Sequence, residues 1–212
     1  MNSPNISERK KGRGKRPITI SLVDCGESSF KLVRMSICTG RGQDGMTDLL
    51  FGKQVRKSDQ RIAVCGNIDE LNAHVGLVRS AGASDAVIEI LDRVQQNLVA
   101  LMGEVATQAE DLPKYKEQGY SRLSEEDREW VLGLIKEAES GDNPVRFRGW
   151  ARPGKAGVLA ASFLDVCRTI CRRSEREFWA WDEQDTYLLH KRYLNQLSDL
   201  FWLLAREAEK EA

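Results

Sequence analysis

Apolar residues recur at steps of three and four in five segments of the 212-residue chain, as in amphipathic helices. The segments run from Arg61 to Ala81, about Ser84 to Ala109, Ser124 to near Gly141, about Val158 to Trp181, and Asp185 to about Ala208. Ser124 with Asp127 three residues later is a typical helix N-cap pattern, whereas residues 110–123 are predicted to form a polar loop. The pattern predicts an all-α, antiparallel five-helix bundle in a ferritin-like up-and-down arrangement.

The N-terminal 36 residues do not share this helical pattern. Residues 1–16 are polar, basic and glycine-containing, which predicts a disordered basic tail. Residues 17–36 contain alternating β-branched segments on either side of Asp24–Ser29, which predicts an N-terminal extension, either a short β-hairpin or an extended arm. The helical bundle is therefore expected to occupy residues 37–212.

Composition narrows the classes of function. The chain has 32 basic and 32 acidic residues and a formal net charge of zero. The whole molecule therefore has no net positive electrostatic potential that would attract nucleic acid, and any anion site must be local. The basic tail could bind RNA or an acidic partner, but it lacks interleaved aromatic residues, and a solvated tail explains it more simply. No apolar run approaches the roughly 20 residues of a membrane span, and no signal peptide is evident, so we expect a cytoplasmic protein.

The cysteines agree with a reducing compartment. Their number is odd, they form no Cys-x-x-Cys pair, and they are scattered over Cys25, Cys38, Cys65, Cys167 and Cys171. We expect reduced thiols that are mostly buried.

The segment Cys167–Arg176 places four arginines and one glutamate in an otherwise apolar helical pattern. At about 100° per residue, Arg168, Arg172 and Glu175 share one stripe of the helix with Trp179, directly beside an apolar flank. Charged side chains in that position are partly desolvated and need partners of opposite charge. The alternative is a solvated arginine-rich face with a few pairs along the helix.

A second polar line lies on the last predicted helix. Asn195, Asp199, Trp202 and Arg206 follow one another along the same face. Hydrogen bonding between helices explains this polar seam about as well as ligand binding does.

A glycine-rich segment, Cys38–Thr47, precedes the first helix and is followed by Lys53, Arg56 and Lys57. Closely spaced glycines let backbone N–H groups converge on an anion, and the threonine hydroxyls and basic side chains can complete such a nest. The segment is not a Walker loop, because Gly-Lys-Ser/Thr is absent. A surface turn is an equally good interpretation of the segment alone.

Taken together in chain order, the motifs of residues 37–208 resemble those of PduO-type ATP:cob(I)alamin adenosyltransferases. The motifs are Thr39-x-x-Gly42-x-Asp44-Gly45-x-Thr47, Val55-x-Lys57-x-Asp59-x-Arg61-Ile62, Gly66-x-x-Asp69-Glu70-Leu71-Asn72, Arg152-Pro153-Gly154, Cys167-Arg168-Thr169-x-Cys171-Arg172-Arg173-x-Glu175-Arg176 and Tyr193-Leu194-Asn195-x-Leu197-Ser198-Asp199.

The resemblance implies a homotrimer of five-helix bundles with ATP bound at each subunit interface and a corrinoid above it. It implies transfer of the 5′-deoxyadenosyl group from ATP to cob(I)alamin, with Mg²⁺ as cofactor and adenosylcobalamin and triphosphate as products. The nucleophile would be Co(I), so the protein supplies positioning and charge stabilisation. A non-catalytic paralogue that binds ATP or corrinoid as a sensor or carrier is the alternative.

The resemblance also implies residue roles. The ATP-binding residues would be Thr39, Gly40, Arg41, Gly42, Asp44, Gly45, Thr47 and Lys57, with Arg172, Glu175 and Asn195 from the other subunit. Glu175 would also be the Mg²⁺ contact. The catalytic set would be Arg172, Arg168, Asp69 and Trp150, where Arg168 pairs with Asp69 of the neighbour. Trp150 would fill the lower face of the corrin, and Arg152 and Asp69 would also contact the corrinoid.

Several residues depart from the family pattern. Gln43, Cys65 and Asp165 stand where Asp, Tyr and His are usual, and Arg152 and Lys155 replace apolar or glycine residues beside Pro153-Gly154. Asp165 lies about 60° from Arg168 on one helix and can compete with Asp69 for it. Arg152 and Lys155 can change which corrinoid is accepted.

Overall fold

The computed structural model describes residues 42–147 and 149–210. The predictions made for the 1–16 tail, the 17–36 extension, Thr39, Gly40 and Arg41 lie outside these ranges.

The predicted all-α bundle is confirmed. Its five long helices are α1 (Gln60–Ser80), α2 (Asp85–Val105), α4 (Glu125–Ser140), α5 (Leu159–Trp181) and α6 (Leu188–Ala208). α4 begins as predicted, because the Ser124 hydroxyl accepts from the Asp127 N–H while the Asp127 carboxylate accepts from the Ser124 N–H.

Two details differ from the sequence-based expectation between α2 and α4. α2 ends at Val105 rather than Ala109, because the Arg61 guanidinium binds the carbonyl oxygens of Val105 and Thr107 at 2.7 and 2.6 Å. These bonds satisfy carbonyls that have no partner within the helix. Part of the predicted polar loop forms the short helix α3 (Leu112–Glu117), with a proline in its first turn.

The bundle is built around α5, which packs against α1 on one side and α6 on the other, while α2 packs on α1 and α4 on α6. The fully buried side chains of Leu71, Leu98, Leu164 and Leu197 bring four of these helices into one core. Among the described helices, none combines the length and apolar character needed to cross a bilayer.

A small β-hairpin precedes α1 and was not predicted. Strands β1 (Met46–Asp48) and β2 (Gln54–Arg56) pair antiparallel and are joined by a turn of 3-10 helix over Leu50–Gly52. The Leu50 N–H donates to the Ala106 carbonyl at 2.9 Å, which ties the hairpin to the end of the bundle where α2 ends.

The three described cysteines are free thiols, as predicted. Cys167 and Cys171 are buried and Cys65 is half-buried. Burial raises the pKa of Cys65 to about 11 and that of Cys167 to about 12, so these thiols stay protonated at neutral pH. Cys25 and Cys38 lie outside the described ranges.

Candidate functional site

The antiparallel packing of α5 on α6 brings together three of the predicted site residues. Asn195 Nδ2 donates to Glu175 Oε1 at 3.0 Å, and Arg172 Nη1 lies 3.6 Å from Glu175 Oε2. The Glu175 side chain is only 12% exposed, and its Oε2 accepts no hydrogen bond from any described residue. The Arg172 guanidinium, by contrast, is half-exposed. A buried carboxylate oxygen beside a solvent-facing guanidinium can bind a polar ligand or a cation.

Asp199 lies one turn beyond Asn195 on α6 and extends this cluster. Partial burial raises the pKa of the Asp199 carboxyl; the Arg172 guanidinium opposes this shift and the Glu175 carboxylate adds to it. The polar seam predicted on α6 therefore meets the arginine stripe of α5.

The partner of Arg168 within the chain is Asp165. Arg168 Nε lies 3.2 Å from Asp165 Oδ1, and Arg206 Nη2 lies 2.6 Å from Asp165 Oδ2. Arg206 also pairs with Glu209 at 2.8 Å. Asp69 is exposed on α1 and forms no ion pair with Arg168 among the described residues of one chain. The intrachain carboxylate expected to compete for Arg168 is thus in place.

Arg173 lies outside the stripe and has a different role from Arg168 and Arg172. Its guanidinium forms an ion pair with Glu70 and so connects α5 to α1. This contact is structural, and it is consistent with the position of Arg173 about 140° from Arg168 around α5.

The glycine-rich turn forms a compact basic structure at the start of the hairpin. Gly42 and Gly45 have φ values of 76° and 83°, which favour glycine. A Cβ atom at Gly42 would lie 3.1 Å from Lys57 Nζ, so the ammonium group sits directly over the backbone of the turn. Asp44 closes the turn by accepting the Met46 N–H at 3.1 Å.

The turn borders an open cavity of about 390 Å³ whose lining is Asp44, Gly45, Met46, Arg56, Lys57 and Ser58. Thr47 lies next to it on β1. Its two cationic side chains, Arg56 and Lys57, outnumber the one carboxylate of its described lining, Asp44, which makes this cavity suited to an anion.

The described residues of one chain do not join the two groups. The turn with Lys57 lies before the start of α1, whereas Arg172, Glu175 and Asn195 lie half-way along α5 and α6. No hydrogen bond or ion pair within residues 42–147 and 149–210 links them.

Trp150 lies in the connection between α4 and α5, with 95% of its surface exposed. It borders a second cavity of about 390 Å³, here called the Trp150 cavity, which is lined by Pro144, Val145, Arg146, Gly149, Trp150, Ala151, Trp202, Arg206 and Lys210. Arg152 is exposed in the same connection.

Sequence reasoning missed Phe147 as part of this surface. Its ring centroid lies 6.0 Å from that of Trp202, and its side chain is largely exposed. Trp202 and Arg206, which the sequence predicts to lie on the polar seam of α6, also line this cavity, and that seam is the sequence signal for this surface.

The fold and these clusters define an all-α bundle with candidate ligand-binding residues on two packed helices, α5 and α6, and at both of its ends. The family model described as cobalamin adenosyltransferase matches residues 37–208. The chain belongs to the cobalamin adenosyltransferase family.

Two relatives illustrate the extent of the similarity. The chain is 32% identical over 179 residues to the corrinoid adenosyltransferase PduO of Salmonella typhimurium, covering 84% of this chain and 51% of that protein. It is 30% identical over 177 residues to the corrinoid adenosyltransferase of Mycobacterium leprae, covering 81% and 90%. The chain thus spans about half the length of the Salmonella protein and most of the mycobacterial one.

Solved structures are similar over the same region. A variant of the PduO-type ATP:corrinoid adenosyltransferase from Lactobacillus reuteri, complexed with cobalamin and ATP, superposes with a TM-score of 0.71 at 28% identity. The match covers 82% of this chain and 94% of the other.

Proposed function

We propose that this protein transfers the 5′-deoxyadenosyl group of ATP to the Co(I) of cobalamin. Co(I) would attack the 5′ carbon of ATP, the carbon–oxygen bond to the triphosphate would break, and triphosphate would leave with the bonding electrons. The observation that carries the proposal is the Arg172, Glu175 and Asn195 cluster. In it, a buried carboxylate oxygen accepts no hydrogen bond from a described residue and lies 3.6 Å from a half-exposed guanidinium.

For this reaction the protein needs to supply only positioning of the substrates and stabilisation of charge. The nucleophile belongs to the substrate, so no activated side chain is needed, and burial keeps the pKa of the Cys171 thiol well above its usual value. The turn from Thr39 to Thr47 and Lys57 would hold the triphosphate, while Arg172 would stabilise the negative charge that develops on it.

Glu175 is suited to hold Mg²⁺. Its Oε2 is buried without a described hydrogen-bond donor, and Asn195 keeps the other oxygen in place at 3.0 Å. In the described ranges no group of three or more His, Cys, Asp or Glu side chains could hold a metal. One carboxylate suffices here, because Mg²⁺ usually takes its other ligands from phosphates and water. Bound there, Mg²⁺ would neutralise part of the triphosphate charge.

A homotrimer would complete the site. The turn with Lys57 of one subunit would face Arg172, Glu175 and Asn195 of the next, which accounts for their separation within one chain. Asp69 is exposed on α1, and the Arg168 side chain keeps 26% of its surface exposed, so a neighbour's Asp69 could approach it. A mass near three times 23.9 kDa in light scattering would support the trimer.

Trp150 would cover the lower face of the corrin. Trp150 has 95% of its surface exposed, so packing of an apolar macrocycle against its ring would remove apolar surface from water, which is favourable. Excluding the axial base there would make cobalt easier to reduce, and Arg152 and Asp69 would contact the edge of the ring.

The protein would act in the cytoplasm. The three free thiols among the described residues are consistent with that reducing compartment.

An anaerobic assay that follows the corrin spectrum and triphosphate release tests this function. Wild type should convert cob(I)alamin in the presence of ATP and Mg²⁺. Arg172→Ala should lower kcat by roughly 10²-fold or more, the usual loss when a donor to developing charge is removed. Arg192→Ala removes an exposed arginine of α6 and should behave as wild type.

Two outcomes would count against the proposal. If folded wild type binds ATP and corrinoid but releases no triphosphate, the protein is a sensor or carrier rather than an enzyme. If Arg172→Ala and Arg192→Ala have equal activity, the α5–α6 cluster is not the triphosphate site.

A further inference from the structure

The Trp150 cavity is rich in positive charge. Its described lining contains three cationic side chains, Arg146, Arg206 and Lys210, together with the rings of Trp150 and Trp202, and none of these described lining residues carries a carboxylate. A cavity that combines cations with aromatic faces is suited to an anion attached to an organic ring system.

The three cations are not equivalent, because Arg206 is neutralised. It pairs with the buried Asp165 at 2.6 Å and with Glu209 at 2.8 Å. Its charge is therefore compensated within the bundle, although the residue still lines the cavity.

Lys210 and Arg146 keep their charges. Lys210 Nζ donates to the carbonyl oxygens of Asn143 and Pro144 at 2.9 and 3.1 Å, and these neutral acceptors hold the ammonium in place without cancelling its charge. Arg146 is exposed, and it forms no ion pair with another residue in the ranges 42–147 and 149–210. The cavity thus has two positive charges, those of Lys210 and Arg146, that no described carboxylate compensates. The Arg146 guanidinium also has N–H donors available for a ligand.

We propose that the Trp150 cavity binds the phosphodiester in the nucleotide side chain of a complete corrinoid. Arg146 would donate to a phosphate oxygen, and Lys210 would add electrostatic attraction. This inference rests on the proposed function and specifies which corrinoids the site prefers.

The chemistry of the corrinoid supports this assignment. The other side chains of the ring are neutral amides, so the phosphodiester is its one anionic substituent near neutral pH. The nucleotide side chain hangs from the lower face of the ring, the face that Trp150 would cover. An anion site bordering Trp150 is therefore on the correct side of the macrocycle.

Two corrinoids separate this subsite from the catalytic site. Cobalamin carries the phosphodiester, whereas cobinamide lacks both the phosphate and the base. Arg146→Gln should lower kcat/KM for cob(I)alamin by roughly tenfold, the size of one charge-assisted hydrogen bond. It should leave cob(I)inamide within about twofold of wild type, since no phosphate is present to lose the bond.

The KM for ATP should not change in Arg146→Gln, which distinguishes the corrinoid phosphate from the triphosphate of ATP. Lys136→Gln removes a surface cation from α4 and should not alter the preference between the two corrinoids. In wild type the preference should shrink as salt rises from low to about 0.5 M, because exposed charges are screened.

Binding of the unreactive cob(II) forms, followed by tryptophan fluorescence with ATP present, keeps the test independent of turnover. If wild type transfers nothing but prefers cob(II)alamin through Arg146, the proposed enzyme function fails and the phosphate subsite stands. An equal loss for both corrinoids in Arg146→Gln, or no loss for either, would overturn the subsite. Binding of neither corrinoid by wild type would overturn both proposals.

Discussion

The buried carboxylate of Asp165 offers a sharp test of how the bundle is held together beside the Trp150 cavity, which Arg206 lines. Asp165 is 3% exposed, and its two oxygens lie 2.6 Å from Arg206 Nη2 and 3.2 Å from Arg168 Nε. Asp165→Asn keeps the size of the side chain but removes its charge, which leaves two guanidinium groups facing a neutral amide.

The expected loss can be worked out from these contacts. Removing one partner of a buried ion pair costs about 3–5 kcal/mol. Arg206 keeps Glu209 at 2.8 Å, and Arg168 is 26% exposed and can rehydrate, so the loss should fall at the lower end. We expect a decrease of about 3 kcal/mol in the free energy of unfolding, or roughly 6–12 °C in Tm for a chain of this size.

Urea unfolding followed by circular dichroism at pH 7 measures this loss. Asp142→Asn is the matched control, because Asp142 is exposed and lies at the same end of the bundle. In the double variant Asp165→Asn with Arg206→Met, part of the loss should be recovered, since the more buried of the two guanidinium groups that face residue 165 is gone. A loss below about 1 kcal/mol in Asp165→Asn, or a double variant less stable than the single one, would refute the reasoning.

Three further predictions concern the rest of the bundle. Burial favours a higher pKa for Glu104, but the contact with His190 and two further hydrogen bonds outweigh burial, so the pKa is lowered. The carboxylate therefore loses its stabilising effect as pH falls below about 4.5. Glu104→Gln should flatten the dependence of the urea midpoint on pH from 5 to 3, and an unchanged slope would contradict this. Phe51→Ala removes a ring between β1 and β2 that contacts Tyr120 and Lys114 and so anchors the hairpin. Because Lys57 directly follows β2, the KM for ATP should rise several-fold with little change in the KM for corrinoid, and a loss confined to the corrinoid would refute the anchoring role. Ser124→Ala removes a helix cap and should cost about 1 kcal/mol in thermal unfolding, and an unchanged Tm would argue against the capping box.

The long helices and their faces were determined by local physics that the sequence displays. The three- and four-residue apolar period places Leu164, Cys167, Cys171 and Phe178 on one face of α5, and all four are fully buried. The N-terminus of α4 was predictable because a capping box involves residues only three apart.

The short elements were not predictable in this way. Strands of three residues carry too little alternation to detect, and the β1–β2 hairpin owes its position to the bond between Leu50 and Ala106, which are far apart in sequence. α2 ends early for a similar reason, because Arg61 reaches it from the first turn of α1.

At the candidate site, the sequence by itself determined which residues share a helical stripe and that a partly desolvated arginine there needs a partner. Only the tertiary structure decided which partner each one takes. Arg168 and Arg206 share Asp165, Arg173 binds Glu70, and Arg172 stays half-exposed beside Glu175. The physical reason is that helical periodicity determines the direction in which a side chain points from the axis of its helix. Which neighbour it meets there depends on how the antiparallel helices are packed.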